Sequence, residues 1–362
     1  MSSHTPLIAT RSALEDLVGA LAATSAIGLD TEFMRERTYR AELCLLQLTT
    51  PHGPVCVDPL ALTDLSPLRA VLSSGPQKVL HAGRQDLEVL QPFVGLAGPL
   101  FDTQIAAALA GYPAQVGYGE LVRRVLGHEL PKAHTRTDWS RRPLSDEQVV
   151  YALDDVRYLL PLRDALCEAL EKLGRTAWLQ EELDDLRDPA TLEVDPDRAW
   201  QRFKGMTGLD AGRLDLLRAL AAWRERRAIA RNRPRGWILD DTVLREVVNR
   251  VPRDPQQLAA IEGMPEGVVR HSGEEILTMI SNAAISDPPP PLPRRERPDP
   301  ALVARVKRLS TAAQSIAAEL QLAGEVLVTR RVLEEIAAGR KACDVLCGWR
   351  ATLLAARLDA VD

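Results

Sequence analysis

Apolar and polar positions along this chain follow two different periods, and the change of period divides it. In the first half, short apolar runs bounded by turn residues predict strands at Ala26–Phe33, Leu43–Thr49, Val55–Asp58 and Lys78–His81. Stretches with helical spacing predict helices at Leu14–Ala23, Asp86–Gln91, Thr103–Ala110, Glu120–Leu126 and Ser145–Lys172. Ser145 with Gln148 three residues on is a capping-box pattern, which fixes the start of the last of these. A meander of three strands, then helices interleaved with another strand, predicts an α/β domain over residues 1–190, a mixed sheet flanked by helices. From about Asp195 the strand pattern disappears. Leu209–Ala230, Thr242–Asn249, Gln256–Ile261 and Gly273–Ala284 predict a small helical domain at 205–286, punctuated by Pro252, Pro255 and Pro265. Residues 287–300 are proline-rich and predict a stiff extended linker. Beyond it, 301–362 predicts a second helical domain, with helices Leu302–Leu320, Thr329–Ala338 and Asp344–Ala356. The pairs Trp223-Arg224 and Trp349-Arg350 hint that the two helical domains are copies of one repeat.

Composition narrows the class. At 362 residues and 46% hydrophobic content, the chain is long enough for two or three domains with their own cores. No run approaches the ~18 to 20 apolar residues of a membrane span and the first thirty lack a secretory pattern, so the expectation is a cytoplasmic protein with no membrane partner. Five scattered cysteines (Cys44, Cys56, Cys167, Cys343, Cys347) make a poor disulfide framework, and are expected to be reduced and buried. A net charge of −5 argues mildly against a protein that coats nucleic acid. Locally the balance reverses: between Lys204 and Arg250 eleven basic residues face six acidic ones, a net +5, which fits phosphate binding or a solvated helix face.

Against this background the acidic residues of the first half matter most. Asp30 and Glu32 follow the apolar run Ala26-Ile27-Gly28-Leu29, so on a strand they point to one face. Like charges held that close stay ionised only if something positive lies between them. Asp86 sits just past a second apolar strand, and Tyr151 and Asp155, four apart on a predicted helix, share one face. Asp154 points away from Tyr151. Each acid has an ordinary explanation on its own: Asp86 as a helix cap, Asp30 and Glu32 at a solvated strand end, Asp155 paired with Arg157 or Arg163. Taken together, four carboxylates and a phenol form an all-oxygen set that suits Mg²⁺ or Mn²⁺ better than zinc.

The order Asp-x-Glu, His81-x4-Asp86-Leu and Tyr151-x3-Asp155 resembles the three motifs of the DEDDy 3′-to-5′ exonucleases. Asp30-Thr-Glu-Phe33, Leu45-Leu-Gln-Leu48, Phe101-Asp-Thr-Gln104, Asp138-Trp-Ser-x-Arg-Pro-Leu144 and Tyr151-Ala-Leu-Asp-Asp-Val-x-Tyr-Leu-Leu160 narrow the resemblance to the ribonuclease D family. The helical segments with Trp223-Arg224, Asn232-Arg-Pro-Arg-Gly-Trp-Ile-Leu-Asp240 and Ile261-x-Gly-Met264 are similar to the helicase-and-RNase-D C-terminal (HRDC) domain, and the tail resembles a second, divergent copy.

The resemblance implies an RNase H-like, DnaQ-type exonuclease fold followed by two helical bundles. It implies a monomeric exoribonuclease that trims the 3′ ends of structured RNA such as tRNA precursors, using two divalent metal ions. Asp30, Glu32 and Asp155 would hold the metal that carries the attacking water, and Asp30 and Asp86 the one nearer the leaving group. Tyr151, whose ordinary pKa of about 10 makes it a poor base, would orient that water. Phe33 and Met34 are candidates to stack on the terminal base, with core packing as the alternative; Lys132, Arg141 and Arg142 are candidates for phosphate contacts. His81 reads as a satisfied strand histidine and Asp102 as a structural cap. The competing readings are a 3′-to-5′ DNA exonuclease, since no motif reads a 2′-hydroxyl, and a non-catalytic RNA-binding protein that retains the fold.

Overall fold

The computed structural model describes residues 7–62, 64–95, 98–131, 137–188, 192, 194–203, 209–283 and 299–361. The chain divides into two compact units, one of Met1–Met34, Leu43–Leu192 and Arg297–Asp362, the other of Arg35–Glu42 and Glu193–Glu296. Most of the proline-rich linker expected at 287–300 lies outside the described residues.

The first unit is built on a six-stranded sheet in the order β1-β4-β3-β2-β5-β6. The strands are β1 (Leu7–Ile8), β2 (Ala26–Met34), β3 (Glu42–Thr50), β4 (Gly53–Val57), β5 (Gln77–Leu80) and β6 (Leu100–Asp102). β3 runs antiparallel to β4, while β1 with β4, β2 with β5, and β5 with β6 pair in parallel, so the sheet is mixed as expected. In β3 every residue from Leu43 to Thr49 is buried, which is why it reads as a mostly apolar run rather than an alternation. Helices α1 (Arg11–Ala22), α2 (Leu68–Ser74), α3 (Arg84–Val94), α4 (Thr103–Leu109), α5 (Tyr118–Leu126), α6 (Asp146–Arg157), α7 (Leu159–Lys172) and α8 (Thr176–Arg187) complete the layer. β1, β6, α2 and α8 are additions to the expected elements.

The single helix expected over Ser145–Lys172 is two, broken at Tyr158. Its start is correct: the Ser145–Gln148 capping box is formed in both directions. The break follows from Pro161, which has no amide for the turn before it and is tolerated only near a helix start, so α7 begins afresh at Leu159. Tyr118 fixes the joint, its hydroxyl donating to the Asp154 carbonyl and accepting the Tyr158 amide, each at 3.1 Å. Gly28 lets this joint approach β2. A Cβ there would lie 2.9 Å from Thr49 Cγ2, 3.1 Å from the Val156 carbonyl and 3.2 Å from Leu159 Cβ.

The C-terminal helices expected as a separate domain at 301–362 belong to this same unit and share its core. The Trp349 ring stacks on Trp178 of α8 with centroids 4.5 Å apart, and its indole N–H donates to Glu182 at 2.8 Å. Arg175 donates to the Leu109 and Leu320 carbonyls. Amphipathic spacing shows only that a helix buries one face, not which neighbour covers it.

The second unit runs through helices Ala211–Arg231, Arg235–Ile238, Asp241–Arg250, Pro255–Ala259 and Glu266–Asn282. The same order of long, single-turn, medium, single-turn and long helices recurs at Pro300–Glu319, Gly324–Leu327, Arg330–Ala337, Ala342–Val345 and Gly348–Asp359. The Trp-Arg pairs do not mark this recurrence. Trp223 lies in the first helix of its set and Trp349 in the last of its own.

Two buried details correct the composition-based expectations. Cys44 and Cys56 are buried, but Cys167, Cys343 and Cys347 are exposed. Lys78 on β5 is fully buried, and its ammonium has no hydrogen-bond partner among the described residues. Burial, with Arg187 as a second positive charge, pushes it down from 10.5 to about 8. A depressed lysine costs stability below its folded pKa, and the cost fades as pH climbs from there towards the unfolded value. We expect Lys78→Met to raise stability by about 2 kcal/mol at neutral pH, with the advantage shrinking above about pH 8. Urea titrations at two pH values check both parts.

Candidate active site

β2 delivers Asp30 and Glu32 to one face of the sheet, as the alternation requires. α6 brings Asp155 against them, and one oxygen from each of the three lies within 4.8 Å of the others. Asp86, in the first turn of α3, is also buried but stands outside that group. Its Oδ1 accepts the Thr31 amide at 3.1 Å and the Thr31 hydroxyl. Thr31, whose side chain alternates with those of Asp30 and Glu32, is thus a member of the site that the sequence analysis missed. Nothing in its type sets it apart there except its place between two acids.

The ordinary explanation for Asp155 does not hold. Arg157 donates to Asp154 at 2.7 Å and Arg163 to Asp164, so neither is spent on Asp155. Asp102, by contrast, is the cap it was expected to be, accepting the amides of Gln104 and Ile105 and also those of Ala82 and Gly83. His81 is satisfied by Thr103 and the Val116 carbonyl.

Burial raises the pKa of every carboxyl in the cluster, and repulsion from neighbouring carboxylates adds to it. Asp30 is held well above its ordinary value, first by burial and then by the charges of Asp86, Asp155 and Glu32. Glu32 is pushed up to about 8 by burial and by Asp155 and Asp86. Burial raises Asp86 and Asp155 to about 7, against the lowering effect of their bonds from Thr31 and Tyr151. Tyr151 is half-buried beside Trp139 and bonded to Asp155; burial and the carboxylates raise its phenol, so it stays a hydrogen-bond donor rather than a base. Hard oxygens of this kind, crowded and desolvated, match the demand of a divalent cation. A cavity of about 790 Å³, lined in part by Tyr118, Leu130 and Val150, opens onto Tyr151 and Asp155.

The expected substrate contacts fare differently. Met34 packs against the cluster that includes Cys44, Trp139 and Leu153, and Phe33 is half-buried on the opposite face of β2. Lys132 lies outside the described residues. Arg141 is paired with Asp138 at 3.2 Å. Arg142 is not available to phosphate: its five donors go to both oxygens of Asp58 and to the carbonyls of Trp139, Arg141 and Cys44. The charged stretch of the helical unit carries many ion pairs, as a solvated helix face does. Seven of its arginines (Arg213, Arg218, Arg224, Arg226, Arg227, Arg235 and Arg250) pair with acids at 2.5–3.2 Å, and Lys204 lies outside the described residues.

The chain is similar to known proteins over nearly its whole length. A 3′-5′ exonuclease domain family matches residues 6–171, and the HRDC domain family matches residues 213–280. A ribonuclease D of Gluconacetobacter diazotrophicus is 41% identical over 359 residues, covering 96% of this chain and 90% of that protein. The chain belongs to the ribonuclease D family. A ribonuclease D of Acidiphilium cryptum is 40% identical, again over 96% of this chain and 90% of the relative. The crystal structure of Escherichia coli RNase D superposes with a TM-score of 0.84 at 31% identity, covering 98% of this chain and 97% of that one. The mixed sheet flanked by helices with a helical C-terminal part is therefore the ribonuclease D fold, and the acidic cluster occupies the domain matched as a 3′-5′ exonuclease. An exonuclease domain with these buried acids points to divalent-metal use. No helix among the described residues is long and apolar enough to cross a membrane.

Proposed function

We propose that this chain is a cytoplasmic, monomeric exoribonuclease that releases nucleotides one at a time from the 3′ ends of structured RNA, tRNA precursors among them. The observation that carries the reading is the convergence of Asp30, Glu32 and Asp155 within 4.8 Å, beside a buried Asp86 and a phenol that is kept protonated. The E. coli relative is described as an exoribonuclease involved in structured RNA processing, which supports the substrate class.

Asp30, Glu32, Asp86 and Asp155 would hold two divalent ions, Mg²⁺ or Mn²⁺. When bound, such ions supply a more acidic water and offset charge on the phosphoryl oxygens. Thr31 holds the Asp86 carboxylate in place through two donors. Tyr151 keeps its proton and positions a water beside Asp155 by hydrogen bonding. Gly28 and Tyr118 set the separation between the strand and helix that carry these groups. The test is a nucleotide ladder from an RNA hairpin with a 3′ tail, run with and without metal and beside a matched DNA.

The cluster also sets a metal dependence of stability. For acids whose folded pKa is raised, the native state binds protons more tightly than the unfolded chain, so stability falls as pH rises from the unfolded pKa to the folded one. Metal-free protein should thus lose stability between about pH 4 and about pH 8. Added Mg²⁺ or Mn²⁺ should raise the Tm by several degrees more near pH ~8 than near pH ~5.5, because it competes with those protons. Thermal melts in chelator and in metal at the two pH values check this; equal shifts at both would count against it.

A further inference from the structure

Among the described residues, the helical unit leaves one aromatic side chain largely in solvent. Trp237 is 58% exposed, whereas Trp223 in the same unit is 6% exposed and packs in its core. The local chain holds Trp237 in place. Asn232 ends helix Ala211–Arg231 in the left-handed region, the Arg233 amide donates back to Ala228, and the Trp237 amide donates to the Pro234 carbonyl at 2.9 Å. The Arg233 guanidinium lies 5.8 Å from the indole centroid, within cation–π range.

Exposed positive charge lies near Trp237 in the chain. Seven arginines of the basic stretch are neutralised by acids, whereas Arg231 and Arg233 meet no carboxylate among the described residues and both are exposed. Arg40 joins them. Its amide donates to the Asn232 side chain at 3.1 Å, and its own side chain is exposed with no acid partner among the described residues. A solvent-facing indole backed by one guanidinium, with two more exposed arginines flanking Asn232 in sequence or by a hydrogen bond, is a combination that can stack a base while neutralising flanking phosphates.

We propose that Trp237 is a stacking platform for an unpaired base in the body of the RNA substrate, with Arg233 completing the stack and Arg231 and Arg40 contacting adjacent phosphates. The inference rests on RNA being the substrate, as argued above, and adds a recognition site in the helical unit that is separate from the carboxylate cluster.

The test uses the full chain carrying Asp155→Asn, so that RNA is not consumed, and reads the Kd for a tailed RNA hairpin by anisotropy. Trp237→Ala should weaken binding about tenfold, and Trp237→Phe should stay within about threefold of the parent. Arg231→Ala should flatten the salt dependence by about one charge. As a control that leaves the protein untouched, abasic substitutions walked along the unpaired RNA should find one position whose loss matches, and is not additive with, that of Trp237→Ala. Unchanged affinity in Trp237→Ala, a Phe variant as weak as the Ala variant, or no such abasic position would overturn the proposal. Nucleotide release by the chain with Asp155 intact is scored separately, so absence of the stacking effect with intact hydrolysis refutes this inference alone. Absence of metal-dependent hydrolysis with the stacking effect intact refutes the exonuclease reading alone.

Discussion

Asp155→Asn should reduce nucleotide release from a 3′ RNA tail on the order of a thousandfold, which corresponds to about 4 kcal/mol of transition-state stabilisation, while the protein stays folded. The substitution is nearly isosteric, so packing is preserved, but it removes one of the three carboxylates that converge within 4.8 Å. It also removes a charge that raises the pKa of both Asp30 and Glu32. The same variant should therefore melt higher than the parent in chelator near neutral pH, and respond less to added metal. The opposite signs on activity and metal-free stability are the signature of a site built for a cation. A purely structural aspartate would lose stability on the same change. Kinetics on tailed RNA together with melts in chelator separate the two.

Arg142→Ala is expected to act on stability rather than on substrate affinity, at a cost of about 4 kcal/mol. Asp58 is buried, and Arg142 supplies its only ion pair among the described residues. Burial on its own would raise the Asp58 pKa, yet the hydrogen bonds and charge of Arg142, with the amides of Leu60 and Ala61, hold it below the ordinary 3.8. Such a group contributes stability above its unfolded pKa and loses it as pH falls through the folded one. The gap between parent and variant should thus be full at neutral pH and narrow below about pH 4. Removing the guanidinium also strands three carbonyls, those of Cys44, Trp139 and Arg141. Arg142→Lys should recover little, because an ammonium lacks the planar fork that reaches both oxygens. A Tm drop of about 10 °C fits this role. An unchanged Tm with a raised KM would instead restore the phosphate contact that the sequence suggested.

The site was largely legible in the sequence because period carries face. Two residues apart on a strand and four apart on a helix are strong geometric statements, and they put Asp30 with Glu32 and Tyr151 with Asp155. Other features were written in the chain but read past. Pro161 signals the restart of the helix at Leu159, and Thr31 is the residue whose amide and hydroxyl grip Asp86. A further group had no local signal. β1 spans two residues and β6 three, too short for any period to show. Whether Arg142 meets a phosphate or Asp58 depends on a residue 84 positions away. The same limit explains the helical regions. Helical spacing located them, but pairs such as Arg226 with Asp197 and Arg227 with Glu275 are a matter of long-range neighbours. So is the placement of the last helices against α8.

The measurement that bears most directly on the central claim is a time course on 5′-labelled RNA bearing a single-stranded 3′ tail, with metal, with chelator, and with the Asp155→Asn variant. Stepwise shortening from the 3′ end that requires Mg²⁺ or Mn²⁺ and vanishes in the variant is the predicted result. Degradation that persists in chelator, internal cleavage, or full activity in Asp155→Asn would contradict the assignment of the four carboxylates as the metal-binding centre of an exoribonuclease.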